Sequence, residues 1–142
     1  MSQENVEALR AFLETWSREP WTLEAWERAP MIDLSLLDPD VVYEDTTLPD
    51  HIGEAYRGHE GIIRAAKRWV EPFESLLVEL DEIVDAGDRI VSTHRGSGNA
   101  RFSGIDLGGP VAYVWTFRAG KVIHFKSYRE VPEALEAAGL SE

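Results

Sequence analysis

The chain has 142 residues, with 14 basic and 26 acidic side chains and a formal net charge of −12 at pH 7. Such a surface repels phosphate groups, so nucleic acid and anionic membranes are excluded as expected partners. The absence of cysteine excludes disulfides and thiolate catalysis, and the opening residues, "MSQENVEALR", do not resemble a signal peptide. We therefore expect a cytoplasmic protein in which residues 1–142 form a single domain.

The first half of the chain predicts three helices and one strand. Apolar residues at helical spacing predict helices over residues 3–17 and 59–73, with a shorter helix between Thr22 and Pro30. The apolar run "VVYED" at 41–45 predicts a buried strand. The stretch that follows it, "TTLPDHIGEAYRG", has no regular period and is predicted to be a loop over a cavity mouth.

The second half predicts a sheet. Apolar and polar residues alternate from residue 75 onwards, and the pattern predicts two hairpins that turn at residues 86–88 and 118–120. Between them, "NARFSGIDLGG" is expected to be an arm or a bulged strand end, and residues 132–138 are expected to form a last helix. Strands joined by tight turns pair antiparallel, so we expect an α+β domain with its helices on one face of an antiparallel sheet.

Alternation also sorts the side chains of the predicted strands by face. On the first strand of the second hairpin, one face carries Val111, Tyr113, Trp115 and Phe117. On the strand before it, Ile90, Ser92 and His94 share a face. On the last strand, His124, Lys126 and Tyr128 oppose Ile123, Phe125 and Ser127. The sequence leaves open which sets face the helices.

A group of polar and aromatic residues has the composition of a small-molecule pocket, which is mostly apolar with a few hydrogen-bonding groups. Its members are Tyr43, Asp45, Tyr56, Trp69, His94, Tyr113, Trp115 and Tyr128. The alternative is that they are ordinary core aromatics with satisfied polar tips, or residues of a subunit contact.

Asp45 is the candidate acid of this group. A carboxylate at the end of a buried strand is suited to proton abstraction, whereas an exposed one would begin a turn with Thr46 or Thr47. Glu44 should point to the opposite face. His94 is the histidine best placed to be inside and to titrate near neutrality, although a structural role is the alternative. The four histidines show no zinc-binding spacing, so no metal or other cofactor is expected.

Several segments together resemble the NTF2-like superfamily, specifically its SnoaL-like polyketide cyclase and ketosteroid isomerase-like group. They are "NVEALRAFLETW", "LDPDVVYEDTTLPD", "AYRGHEGI", "VWTFRAGKVIHFKSY" and "PEALEAAGL", which span nearly the whole chain. The resemblance implies a cone-shaped, curved antiparallel sheet wrapped around the N-terminal helices, with an internal cavity. It also implies a homodimer formed through the sheet.

The resemblance implies several activities. Members of the group include isomerases, cyclases, epoxide hydrolases, dehydratases and domains without catalysis. Asp45 falls on the position of the ketosteroid isomerase base, whereas Phe12 occupies the position of its tyrosine donor, and neither Ala112 nor Tyr113 supplies its second acid. His94 matches the role of the polyketide cyclase histidine. Arg95 with Asp45 would supply part of an epoxide hydrolase site.

Our hypothesis from the sequence is a domain that binds a small apolar or cyclic molecule and performs isomerisation or cyclisation without a cofactor. Asp45 would be the base, with His94, Tyr56 and Tyr113 as donors or orienting groups. The aromatic wall would comprise Tyr43, Trp69, Trp115 and Tyr128. The alternatives are a non-catalytic ligand-binding or dimerisation domain and, more weakly, epoxide hydrolase-like or dehydratase activity.

Overall fold

A computed structural model of the chain describes residues 2–18, 20–28, 33–45, 54–87, 89–100 and 106–140. The helices are α1 (Ser2–Trp16), α2 (Leu23–Arg28), α3 (Gly58–Val70) and α4 (Val131–Ala137). The strands are β1 (Leu37–Asp45), β2 (Glu54–Arg57), β3 (Phe73–Asp85), β4 (Arg89–Ala100), β5 (Asp106–Arg118) and β6 (Lys121–Tyr128). In this part of the chain no helix is both long enough and apolar enough to cross a membrane.

The six strands form one open sheet in the order β2-β1-β6-β5-β4-β3, which confirms the α+β fold class. Neighbouring strands pair antiparallel except for β1 and β6, which are parallel. The sheet is therefore mixed and not wholly antiparallel. The expectation rested on tight turns, and a turn constrains only strands that are consecutive in the chain. Because β1 and β6 are far apart in sequence, no turn determined their relative direction.

The two predicted hairpins are present. β3 ends at Asp85 and β4 begins at Arg89, while β5 and β6 are joined by the two residues Ala119 and Gly120. Both of these residues have positive φ, at 52° and 79°. A two-residue turn of this kind matches the twist of the strands, and glycine adopts its backbone angles without steric cost. The segment between the hairpins is largely strand, with residues 101–105 outside the described part of the chain.

The edge strand β2 differs from the expectation, because the sequence pattern predicts a loop for its residues. Four residues are too few for a period of two to be recognised, yet β2 pairs with β1 and sets Tyr56 opposite Tyr43. The rest of the predicted loop, including Thr46, Thr47 and His51, lies outside the described residues. The helix α3 follows β2 at once. A Cβ atom on Gly61 would lie 3.1 Å from the Tyr56 carbonyl carbon, so glycine allows α3 to pack closely against β2.

The structure resolves which sheet face meets the helices. Leu9, Leu13 and Trp16 of α1 and Ile62 of α3 pack against the face that carries the Tyr113 set, in one large buried cluster. On the opposite face, Val91, Ala112 and Val114 pack against Ala134 of α4 in a second, smaller cluster. Two adjacent strands, β4 and β5, thus contribute alternate residues to the two clusters, as their period of two predicted.

Candidate functional site

A small pocket lies between the helices and the concave sheet face, with a volume of about 50 Å³. Aromatic residues make up most of its wall, and its lining residues are Trp16, Trp21, Tyr43, Ile62, Ala65, Ala66, Trp69, Leu76, Val78, Tyr113 and Phe125. This volume suffices for a few water molecules. Pockets for drug-sized ligands are larger, at roughly 300–1,000 Å³. A cyclic ligand would therefore require the wall to move outwards.

Asp45 is buried at one side of this pocket, with 1% of its surface exposed. The indole Nε1–H of Trp69 donates to its Oδ2 at 3.1 Å, and the Ser127 hydroxyl donates to its Oδ1 at 3.3 Å. Its side chain is therefore not the exposed strand-end carboxylate that the alternative required. Both hydrogen bonds hold the carboxyl group in a fixed orientation next to Trp69, which is part of the pocket wall.

The fold explains why these three residues meet. Along β1, alternate residues point inwards, and the pattern of burial places Asp45 inside and Glu44 outside, as predicted. Parallel pairing sets Glu44 beside Lys126, so the next residue on each strand brings Asp45 to Ser127. On the outer face Glu44 bonds to His124 at 2.6 Å, and this hydrogen bond lowers the pKa of Glu44.

Two tyrosine hydroxyls lie near Asp45. Tyr43 and Tyr113 are almost wholly buried, and their ring centroids are 6.3 Å apart. Burial raises the pKa of both phenols, and the negative charge of Asp45 raises it further. Both hydroxyls are therefore protonated at neutral pH. The Tyr43 hydroxyl lies among the polar groups of Ser127, Trp69 and Tyr113, yet none of the described residues meets the geometry of a hydrogen bond to it.

His94 lies in a different polar group of the core. Its Nε2 is 2.8 Å from the Ser92 hydroxyl, which also accepts a hydrogen bond from the Trp115 indole at 2.8 Å. The ring stacks on Trp16 at 5.6 Å and meets the edge of Tyr113 at 5.3 Å. Burial lowers the pKa of His94 to about 4, so the expectation that it titrates near neutrality is wrong. The cause is desolvation, which disfavours the imidazolium form.

Three other predicted site residues are not part of the pocket wall. Tyr56 lies behind Tyr43, with ring centroids 6.0 Å apart, and its hydroxyl accepts a hydrogen bond from Arg68. Trp115 is fully buried and uses its indole N–H on Ser92. Tyr128 packs with the α4 cluster on the other face of the sheet, so its assignment to the same aromatic wall is wrong.

The correction for Tyr128 follows from alternation. Phe125 and Ser127 face the pocket side, so Tyr128 must point to the opposite face together with His124 and Lys126. The Lys126 ammonium group lies 5.4 Å from the centroid of the Tyr128 ring. The same rule separates Arg95 from His94, and Arg95 is exposed on the other face. The Asp45 and Arg95 combination of an epoxide hydrolase site is therefore not formed.

The aromatic and polar residues of the site that sequence reasoning missed are Trp16, Trp21, Phe125 and Ser127. Trp16 was recognised only as part of the apolar face of the first helix. Ser127 was correctly grouped with Phe125, but its contact with Asp45 depends on the unpredicted parallel pairing of β1 and β6. Within the described residues no group of three or more histidine, aspartate or glutamate side chains could hold a metal ion.

Comparison with known proteins agrees with this fold. The model of the SnoaL-like domain family matches residues 9–125. No curated protein is significantly similar to the chain. An NTF2-like protein of unknown function from Burkholderia pseudomallei is 22% identical, with a TM-score of 0.66 over 94% of this chain and 95% of that chain.

Two further solved structures are similar over most of their length. A protein assigned as a SnoaL-like polyketide cyclase from Jannaschia sp. CCS1 is 21% identical, with a TM-score of 0.66 over 99% of this chain and 94% of that chain. A protein with a ketosteroid isomerase-like fold from Catenulispora acidiphila, solved in complex with trimethylamine, is 20% identical, with a TM-score of 0.64 over 93% and 92%. Likeness at these identities establishes fold alone. The family model covers most of the chain, and the protein therefore belongs to the SnoaL-like domain family.

Proposed function

We propose that the protein is a cofactor-independent enzyme that moves a proton on a small carbonyl compound bound in the aromatic pocket. The observation that carries this proposal is the buried carboxyl group of Asp45 beside the protonated hydroxyls of Tyr43 and Tyr113. A carboxylate base and neutral hydroxyl donors are the two components that enolate chemistry requires. Family membership is consistent with isomerisation or cyclisation and selects neither of them.

In the proposed reaction, Asp45 takes a proton from the carbon next to the carbonyl group. The electron pair of the broken C–H bond forms a carbon–carbon double bond, and the carbonyl oxygen becomes an enolate oxygen. In an isomerisation, Asp45 then returns the proton to another carbon. In a cyclisation, the enolate carbon attacks a second carbonyl carbon, whose oxygen becomes an alkoxide and takes the proton from Asp45. Trp69 and Ser127 orient the carboxylate in both cases.

Tyr43 is the main candidate donor to the enolate oxygen, in place of Tyr56. Its hydroxyl has no hydrogen-bond partner among the described residues, whereas the Tyr56 hydroxyl already accepts a bond from Arg68. Tyr113 lies close enough to contribute a second donor. A donor aimed at a developing oxyanion typically contributes about 10²–10³ in rate. Both phenols have raised pKa values and so keep their protons at neutral pH.

The proposal is tested by proton exchange, because exchange requires only the first half of the reaction. The protein is incubated in D₂O with cyclohexanone and cyclohex-2-enone, and deuterium incorporation next to the carbonyl group is followed by NMR. We expect the wild-type protein to accelerate exchange and Asp45→Asn to reduce that acceleration by about 10²–10⁴.

Glu44→Gln is the matched control, since it removes a carboxylate from the neighbouring residue on the opposite sheet face. This variant should exchange at the wild-type rate. Exchange by Asp45→Asn at the wild-type rate would refute the assigned base. A wild-type protein that accelerates exchange of neither ketone would refute the proposed reaction.

A non-catalytic second function is favoured by the composition of the pocket. A wall rich in tryptophan and tyrosine beside a carboxyl group resembles the aromatic cages that bind methylated ammonium ions. The pocket volume of about 50 Å³ is closer to the size of such a cation than to that of a drug-sized ligand. The Catenulispora acidiphila protein was solved in complex with trimethylamine. Under this alternative the chain would bind a small organic cation without chemical change.

The cation-binding function is tested by comparing two ligands of similar shape. Trimethylammonium chloride supplies a cation, and tert-butanol supplies a neutral molecule. Tryptophan fluorescence is measured during titration with each, at constant total salt. A cation cage predicts tighter binding of trimethylammonium, and Asp45→Asn should weaken that binding while Glu44→Gln should not. Equal affinity for the two molecules would exclude the cage.

A further inference from the structure

Two buried ring nitrogens lie away from Asp45 and have no role in the proposed reaction. They are the indole N–H of Trp16 and the imidazole Nδ1 of His94, and neither has a hydrogen-bond partner among the described residues. Trp16 is 6% exposed and His94 is 2% exposed. Leaving such a group unsatisfied costs about 1–3 kcal/mol, so a native protein normally supplies a partner to it.

The hydrogen bonds around Ser92 favour one tautomer of His94. The Trp115 indole can only donate, so the Ser92 hydroxyl oxygen accepts that bond. The other hydrogen bond of this hydroxyl within the described residues is the one to His94 Nε2, and we assign its hydrogen to that bond because this direction satisfies both groups. In neutral imidazole the proton is then on Nδ1. Nδ1 and the Trp16 indole are both donors that need an acceptor.

These two donors belong to neighbouring rings at one side of the pocket. Trp16 is part of the pocket wall, and the ring of His94 stacks against it. Tyr113 contacts both of these rings and also Tyr43, which lies beside Asp45. Trp16, Tyr43 and Tyr113 belong to the pocket wall, whereas Asp45 and His94 contact the wall residues Trp69 and Trp16. Tyr113 thus lies between the group formed by Asp45 and Tyr43 and the group formed by Trp16 and His94.

We propose that Trp16 and His94 form a second polar end of the pocket, which binds an additional oxygen atom of the ligand. The inference rests on the proposed function for the first end, where Asp45 and Tyr43 meet the reacting carbonyl group. Together the two ends select a small cyclic compound with two oxygen functions, a ketone and a second carbonyl or hydroxyl oxygen across the ring. Neither Trp16 nor His94 takes part in proton transfer, and both act in specificity.

Cyclohexane-1,4-dione and cyclohexanone are suitable probes, because they differ only in the second oxygen. Binding of each is followed in ¹H–¹⁵N spectra of the tryptophan indoles, in which the Trp16 signal is the one that disappears in Trp16→Phe. We expect the dione to bind more tightly and to shift the Trp16 signal further than cyclohexanone does. Trp16→Phe should weaken dione binding by about tenfold more than it weakens cyclohexanone binding, because both probes lose the same apolar contact and only the dione loses a hydrogen bond.

Trp26→Phe is the matched control, since Trp26 is buried to a similar degree but is not part of the pocket wall. It should leave the affinity for both probes unchanged. Equal affinity of the wild-type protein for the two probes would overturn the inference, and so would equal weakening of both by Trp16→Phe. Failure to bind either probe up to its solubility limit would also overturn it.

The proton-exchange experiment distinguishes this failure from failure of the proposed function. If cyclohexanone exchanges and Asp45→Asn abolishes exchange while the dione shows no preference, only the second polar end is wrong. If the dione is preferred through Trp16 and no ketone exchanges, the second end is a binding feature and the proposed reaction is wrong.

Discussion

Two adjacent carboxylates on β1 differ in their surroundings far more than in their chemistry. The Glu44 side chain is about one-third exposed, and it forms a hydrogen bond with His124. Asp45 is 1% exposed, and it accepts hydrogen bonds from Trp69 and Ser127. Alternation along the strand was enough to predict that the two point in opposite directions. It could not predict the partners of Asp45, because Trp69 comes from α3 and Ser127 from a strand that is remote in sequence.

His94 shows how burial can reverse an expectation based on residue type. Its usual pKa of 6.5 falls to about 4 in the folded protein. Between these two values the unfolded chain takes up a proton that the folded protein does not. The free energy of unfolding therefore decreases as the pH is lowered from 6.5 to about 4, and the total loss is about 3 kcal/mol.

We predict that this loss is measurable between pH 7 and pH 5 by urea denaturation. His94 should account for about 2 kcal/mol of the decrease, and His94→Gln should lack that part because an amide does not titrate. Val91→Ala is the control, since it removes buried volume from the other sheet face without removing a titratable group. It should retain the wild-type pH dependence. An equal decrease in wild type and His94→Gln would contradict the assignment.

At the scale of elements, the sequence predicted each long helix and strand because each has a clear period. The helices over 59–73 and 132–138 were placed within a few residues of α3 and α4, and both hairpin turns were placed correctly. The strand β2 has only four residues and no recognisable period. The direction of β1 relative to β6 was missed for a different reason, since it is a property of tertiary packing and not of either strand.

The extension of β4 and β5 beyond the pocket allows a prediction about close packing. A Cβ atom on Gly108 would lie 2.6 Å from the carbonyl oxygen of Gly96 on the facing strand. Backbone atoms at this distance cannot move aside without disturbing the strand pair. Gly108→Ala should therefore lower the free energy of unfolding by about 1–3 kcal/mol, measured by urea denaturation.

Gly96 provides the control for this prediction on the opposite strand. The nearest atom to a Cβ there is the Gly109 carbonyl oxygen, at 4.0 Å. Gly96→Ala should therefore leave stability unchanged or raise it by up to about 1 kcal/mol through the smaller entropy of the unfolded chain. Equal effects of the two substitutions would show that the strands separate readily at this point.

For the whole molecule, composition and the resemblance of several segments were sufficient for the fold class and the family. They also indicated a group of aromatic residues, of which Tyr43, Trp69 and Tyr113 do line the pocket. They could not indicate its size, because the volume depends on how α1, α2 and α3 pack on the sheet. The homodimer, the small-molecule partner and the cytoplasmic location remain predictions.

The parallel pairing of β1 with β6 has a consequence for the order in which the site is assembled. Asp45 and Ser127 are 82 positions apart, and the hydrogen bond between them closes a loop that includes α3 and four strands. After β1 has been synthesised, most of the chain must still be added before Ser127, a hydrogen-bond donor to Asp45, exists. Long-range contacts of this kind form late and slowly. The hydrogen bond from Ser127 to the acid therefore cannot form before β6 joins the sheet.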